Sequence, residues 1–170
     1  MKNGSSSHKQ GKPRGRVNRI TCTAFCYSTE SREKVKEAMT LLAGAEVEIT
    51  EKKVESHFGN SMSLMEADMG LEALRSAVLK LSVEEKEALV STLRERTDEN
   101  GVLHIRFDKQ GLCEGKFMLS SQLPLAERKE RDSVEVEVHL TRYGSKTFDI
   151  TQFMSQILFD EAEGDIEMQG

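Results

Sequence analysis

The run Val134-Glu135-Val136-Glu137-Val138-His139-Leu140 alternates apolar and polar side chains at every step. Successive residues of a strand point to opposite faces. Val134, Val136, Val138 and Leu140 therefore share one face, and Glu135, Glu137 and His139 the other. One buried face and one wet face mark an antiparallel sheet that meets solvent on one side. A parallel sheet covered by helices on both faces would read as a continuous apolar run instead. This one stretch already argues for two layers, a sheet with its helices on one side.

Working upstream, Val102 to Asp108 alternates in the same way, with Leu103, Ile105 and Phe107 inward and His104, Arg106 and Asp108 outward. A turn at Asp98, Asn100 and Gly101 precedes it, and a second turn at Gly111 leads to Lys116–Leu119. Ser82 and Glu85 form an S-x-x-E capping box, opening a helix to about Arg96 with Leu89 and Leu93 inward. Leu71, Leu74, Val78 and Leu81 share one face of a helix over 71–81. Strands are expected over 61–68 and 47–54, separated by a loop at His57-Phe58-Gly59-Asn60. Ser28 is expected to cap a helix with Glu30 in its first turn, Val35, Met39 and Leu42 as its stripe, and Gly44 at its end. The first strand, Val17 to Tyr27, sets Ile20, Cys22, Ala24 and Cys26 against Thr21, Thr23, Phe25 and Tyr27. The fold class is α+β: a two-layer sandwich, its sheet mainly antiparallel or mixed, with helices on one face.

The ends differ from this centre. Residues 1–16 are Gly, Ser and basic residues without apolar spacing, and read as a disordered basic arm. The ordered domain is expected over 17–141. Residues 142–170 form a C-terminal extension, with apolar spacing for a short helix over 148–158 and then an acidic disordered tail. The net charge of −5 is unevenly spread: +6 over residues 1–20, −4 over 142–170, and so −7 over 21–141. An RNA or DNA partner would have to meet a local basic patch or the arm, not the charge of the whole domain.

Composition narrows the function classes. With 5% aromatics and no Trp, the core must be aliphatic. No stretch approaches the roughly 18 apolar residues of a membrane span, and the N-terminus lacks a secretory apolar segment. Cytoplasmic residence and no membrane partner are the expectations. Cys22, Cys26 and Cys113 are odd in number and read as core thiols of a reducing compartment, not as a disulfide framework. No G-x-x-x-x-G-K-[ST], G-x-G-x-x-G, H-E-x-x-H or C-x-x-C is present, nor a cluster with metal-ligand spacing, so no cofactor, metal or catalytic residue is assigned. His57 reads as a hydrogen-bonded loop residue, and His104 and His139 as solvent-face residues. In Thr97–Gln110, Arg106 and Asp108 lie two apart on one face and can pair, with Lys109 just past the strand end. That segment reads either as a strip for phosphates or as an ordinary solvated face.

Three stretches together carry a resemblance: ITCTAFCYSTESREKVKEAM, then VESHFGN, then ERTDENGVLHIRFDKQ. Their order and spacing over about residues 17–141 resemble the archaeal family of small RNA-binding proteins described as predicted exosome subunits. The closest matches are Phe25-Cys26-Tyr27-Ser28-Thr29-Glu30 with Lys34 and Val35, and Arg106-Phe107-Asp108-Lys109-Gln110. His57, Gly59 and Asn60 match an H-x-G-N loop, although Ser61 stands where the family commonly has Pro, which implies a looser loop here. The resemblance implies a fold similar to the ribosomal protein that contacts 5S RNA, RNA binding, dimerisation in some members and no catalytic activity. The expected function is that of a non-catalytic RNA-binding accessory of the exosome or of RNA processing and decay. The alternative is a protein-interaction module of such a complex that does not itself bind RNA, which the −7 charge favours. The expected partners are RNA, exosome subunits and a second copy of the chain. The candidate RNA contacts are Arg94, Arg96, Arg106, Lys109 and Lys116, with Arg14, Arg16 and Arg19 from the arm and its junction.

Overall fold

A computed structural model describes residues 15–120, 132–142 and 149–159. Most of the expected arm, with Arg14, and the expected acidic tail lie outside these residues, as does Phe148. Within them the chain runs β1 (Gly15–Tyr27), α1 (Arg32–Ala43), β2 (Thr50–Glu55), β3 (Ser61–Asp68), α2 (Leu71–Leu79), α3 (Val83–Ser91), β4 (Val102–Asp108), α4 (Lys109–Cys113), β5 (Ser133–Arg142) and α5 (Ile150–Phe159). The five strands form one sheet in the order β2-β3-β1-β5-β4, antiparallel throughout.

Register explains the two layers. Across the sheet, Met65, Ala24, Val134 and Phe107 stand in one row, and Ala67, Cys22, Val136 and Ile105 in the next. All eight are buried, and they face one core with Val35, Met39 and Leu42 of α1, Leu74 and Val78 of α2, and Phe153, Met154 and Ile157 of α5. Burial pushes the Cys22 thiol up to about 12, so it packs as an apolar group. Residues one step along the strands point the other way. Glu66, Thr23, Glu135 and Arg106 form one row of the outer face, and Asp68, Thr21, Glu137 and His104 the next. The α+β sandwich with its helices on one face is thus the observed architecture.

Some boundaries differ from expectation. Ser31, not Ser28, caps α1, its hydroxyl accepting from Lys34 N at 3.4 Å. Glu30 instead turns back, its carboxylate accepting from Tyr27 N at 2.9 Å. Gly44 ends α1 with φ of 113°, a conformation that side chains other than glycine's rarely adopt. The capping box at Ser82 and Glu85 is present, but α3 stops at Ser91 and the chain turns through 92–96. Gly111 lies inside α4 and makes no turn. Asp108 caps that helix, accepting from Gly111 N at 2.6 Å, and a Cβ at Gly111 would crowd Asp108 Oδ1 and Lys116 O at 3.2 Å each. Within Lys116–Leu119, Leu119 forms an isolated bridge with Phe107.

Candidate nucleic-acid interface

The C-terminal end of β1 outruns its neighbour. Its pairing with β5 stops at Ala24–Val134, so a contact to the Phe25 carbonyl on that side comes from another element. Lys109, the first residue of α4, supplies one: its Nζ donates to Phe25 O at 2.9 Å. The same ammonium sits 2.8 Å from Glu30 Oε1 and 5.1 Å from the centre of the Tyr27 ring. Lys109 is 3% exposed. The expectation of an exposed phosphate contact is therefore corrected, because Lys109 is consumed in stitching the end of β1 to α4. Two of the stretches that carry the sequence resemblance, 25–30 and 106–110, meet in this contact.

Arg106 is corrected as well. It does not pair with Asp108, which is occupied in capping α4. Its Nε lies 3.8 Å from Glu135 Oε2 on the neighbouring strand, and its side chain is only 15% exposed. Glu135 also lies 2.7 Å from His104 Nδ1, and Asp98 lies 3.1 Å from His104 Nε2. The bond to Glu135, above all, with the bond to Asp98, raises the His104 pKa to about 9 against the opposing effect of burial. At neutral pH His104 is an imidazolium held between two carboxylates, not a free solvent-face residue.

His104, Glu135 and Glu137 bring ligand atoms within 4.8 Å of one another, a grouping that sequence spacing missed because it arises from β4–β5 register. Protonated His104 has no lone pair to give a metal and itself supplies the cation that the carboxylates need. Arg96 is 5% exposed. Its Nε donates to Thr92 Oγ1 at 2.7 Å, while burial and then the nearby Arg106 lower its pKa. It belongs to the packed turn that follows α3, not to an open surface.

The other candidates stay on the outside. Arg94 lies 3.7 Å from Asp149, Lys116 lies 3.6 Å from Glu114, and Arg19 donates through Nε to Asp68 at 2.8 Å. Each of these pairs is solvent-exposed and weakly bound, free to exchange its carboxylate for a phosphate. Arg16 is half-buried in β1, so the sheet already includes part of what read as arm. The sequence-predicted cations thus do not converge on one strip. His57 to Asn60 form the tip of the β2–β3 hairpin, as expected.

Residues 19–140 match a family model described as RNA binding. The RNA-binding protein PAB1135 of Pyrococcus abyssi (strain GE5 / Orsay) is 32% identical over 117 residues, which span 61% of this chain and 74% of that protein. Among solved structures, protein AF2318 from Archaeglobus fulgidus, of family DUF54, superposes with a TM-score of 0.69 at 33% identity, covering 84% of this chain and 99% of that one. The DUF54 protein Mth689 from Methanothermobacter thermautotrophicus gives 0.63 at 25% identity, over 84% and 98%. A UPF0201 protein from Methanococcus jannaschii, at 17% identity and a TM-score of 0.56 over 82% and 98%, shares the fold.

Proposed function

This chain belongs to that RNA-binding family, and from this membership we propose that it binds RNA without chemical action on it, as an accessory of RNA processing or decay. The supporting observation is the extent of the match. It runs over 19–140, from within β1 to near the end of β5, and so includes residues of all five strands. The phosphate contacts in this reading are the exchangeable surface cations Arg19, Arg94 and Lys116, with Arg16 at the start of β1 and the basic residues before it, Arg14 among them. Arg96, Arg106 and Lys109 support the fold beneath them. Exosome-type subunits are the proposed protein partners, and a second copy of the chain the proposed assembly.

The test is RNA binding by the purified chain across a salt series, with single-stranded and structured RNA in parallel. Affinity that falls steeply with salt, without cleavage of the RNA, is the expected result. Divalent-dependent cleavage that co-purifies with the chain and disappears in His57→Ala would contradict the non-catalytic reading. The charge of −7 over residues 21–141 favours a second reading, a module that joins an RNA machine through protein contacts alone. Capture of exosome-type subunits with no RNA affinity at low salt would select that reading.

A further inference from the structure

Phe58 is 89% exposed, at the tip of the hairpin that joins β2 to β3. Burying a Phe side chain is worth roughly 1.5–3 kcal/mol, and this one contributes almost none of that to folding. Its backbone is nonetheless tied down by hydrogen bonds, so the looser loop expected from Ser61 is not what the structure shows. Ser56 N donates to Asn60 O at 2.9 Å, Gly59 N to Ser56 O at 2.9 Å, and Asn60 N to Ser56 Oγ at 3.0 Å. Gly59 takes φ of 77°, which closes the turn. The His57 ring stands edge-on to Phe58, with centroids 5.9 Å apart. The ring is held out into solvent on a knitted turn.

The strand leading to it is an edge of the sheet, since β2 comes first in the strand order. Lys52 and Lys53 are both exposed on it, and neither has a carboxylate within 4.0 Å among the described residues. Being successive, they project from opposite faces and so flank the open edge on both sides. The neighbouring acid Glu51 is already occupied by Arg32 at 2.5 Å and Lys36 at 3.5 Å. The bond to Arg32, first of all, lowers its pKa to about 2. Glu51 is thus taken up by cations of α1, and Lys52 and Lys53 stay exposed on the edge strand of a domain that is acidic as a whole.

An exposed ring at the tip of a hairpin whose edge strand carries exposed ammonium groups has the chemistry of a single-stranded nucleic-acid site: a base stacks on the ring while the phosphates meet the cations. We propose that the β2–β3 hairpin captures single-stranded RNA, with one unpaired base stacked on Phe58 and flanking phosphates on Lys52 and Lys53. This rests on the RNA-binding reading and gives it a place and a preferred substrate. Duplex RNA, whose bases are already stacked, fits the tip poorly.

The sequence contains no Trp, so Phe58→Trp installs the chain's one indole at the proposed stack. Titrating that full-length variant with a single-stranded oligonucleotide should quench its fluorescence, and the matching duplex should quench it far less. Phe58→Ala should fold normally and bind the single strand roughly five- to a hundredfold more weakly. Lys52→Ala with Lys53→Ala should flatten the salt dependence by roughly 1.4 in slope. If the unaltered chain binds single strands while Phe58→Trp is not quenched and Phe58→Ala binds equally well, the hairpin site is wrong and the functional reading survives. If the unaltered chain binds no RNA at all, both fall. If Phe58→Ala abolishes self-association and leaves RNA affinity unchanged, the tip is a contact between copies, and the proposal is overturned.

Discussion

Lys109 puts an ammonium group where the sheet runs out of strand, and its three contacts make it a residue of the fold. Replacing it with Met keeps the stem but removes the bond to the Phe25 carbonyl and leaves Glu30 without this cation. The expected loss is about 2–4 kcal/mol in urea unfolding, against almost none for Lys52→Met on the exposed edge. Position in sequence gave no hint of this. A lysine just past a strand end reads as solvated, because its partners lie 79 and 84 residues earlier. His104 was misread for a similar reason, its carboxylates coming from the turn before β4 and from β5. Its pKa is raised to about 9, above the ordinary value of 6.5, so the folded state holds the proton more tightly than the unfolded chain. The stability it contributes is complete below about pH 6.5 and is lost as pH rises towards 9. Thermal melts across that window should fall more steeply for the native chain than for His104→Gln. Parallel curves would show that the network does not hold the proton.

Among the elements, β5 was legible from its alternation alone, and so was β4, because one buried face imposes a period of two on the sequence. Val136 is fully buried in the row with Cys22 and Ile105. Val136→Asp should therefore leave the chain unfolded at 25 °C by circular dichroism, as an unpaired charge in that row has nothing to meet. Its neighbour Glu135 shows where alternation stops being informative. The period places it outward, where substitution looks harmless, yet it serves both His104 and Arg106. Glu135→Ala should cost roughly 1–2 kcal/mol in the same experiment. The start of α1 was missed because Ser28 and Ser31 offer the same cap. The competing demand settled it: Glu30 is drawn back to the Tyr27 amide and to Lys109. Gly111 was misread because a glycine marks a turn by propensity, whereas here it makes room for Asp108 and the Lys116 carbonyl.

The molecule as a whole is a sheet whose helices cover one side, with exposed cations scattered over an acidic domain. Its two-layer form followed from the sequence. Its basic surface did not, since three of the cations that looked most available were drawn into the structure, leaving exposed ones spread over β1, β2 and the helix ends. The arm before Gly15 adds Lys2, Lys9, Lys12 and Arg14 to whatever the domain offers. Any truncation should stop at residue 14, because removing Gly15 to Arg19 would take pairing residues from β1. The direct test of RNA binding by the domain is the salt dependence of single-strand affinity for the full chain and for residues 15–170. The account predicts that the shortened chain still binds at low salt, with a slope reduced by at most about 2.8, roughly 0.7 for each cation lost. A shortened chain that folds but has no affinity at the lowest salt would contradict it.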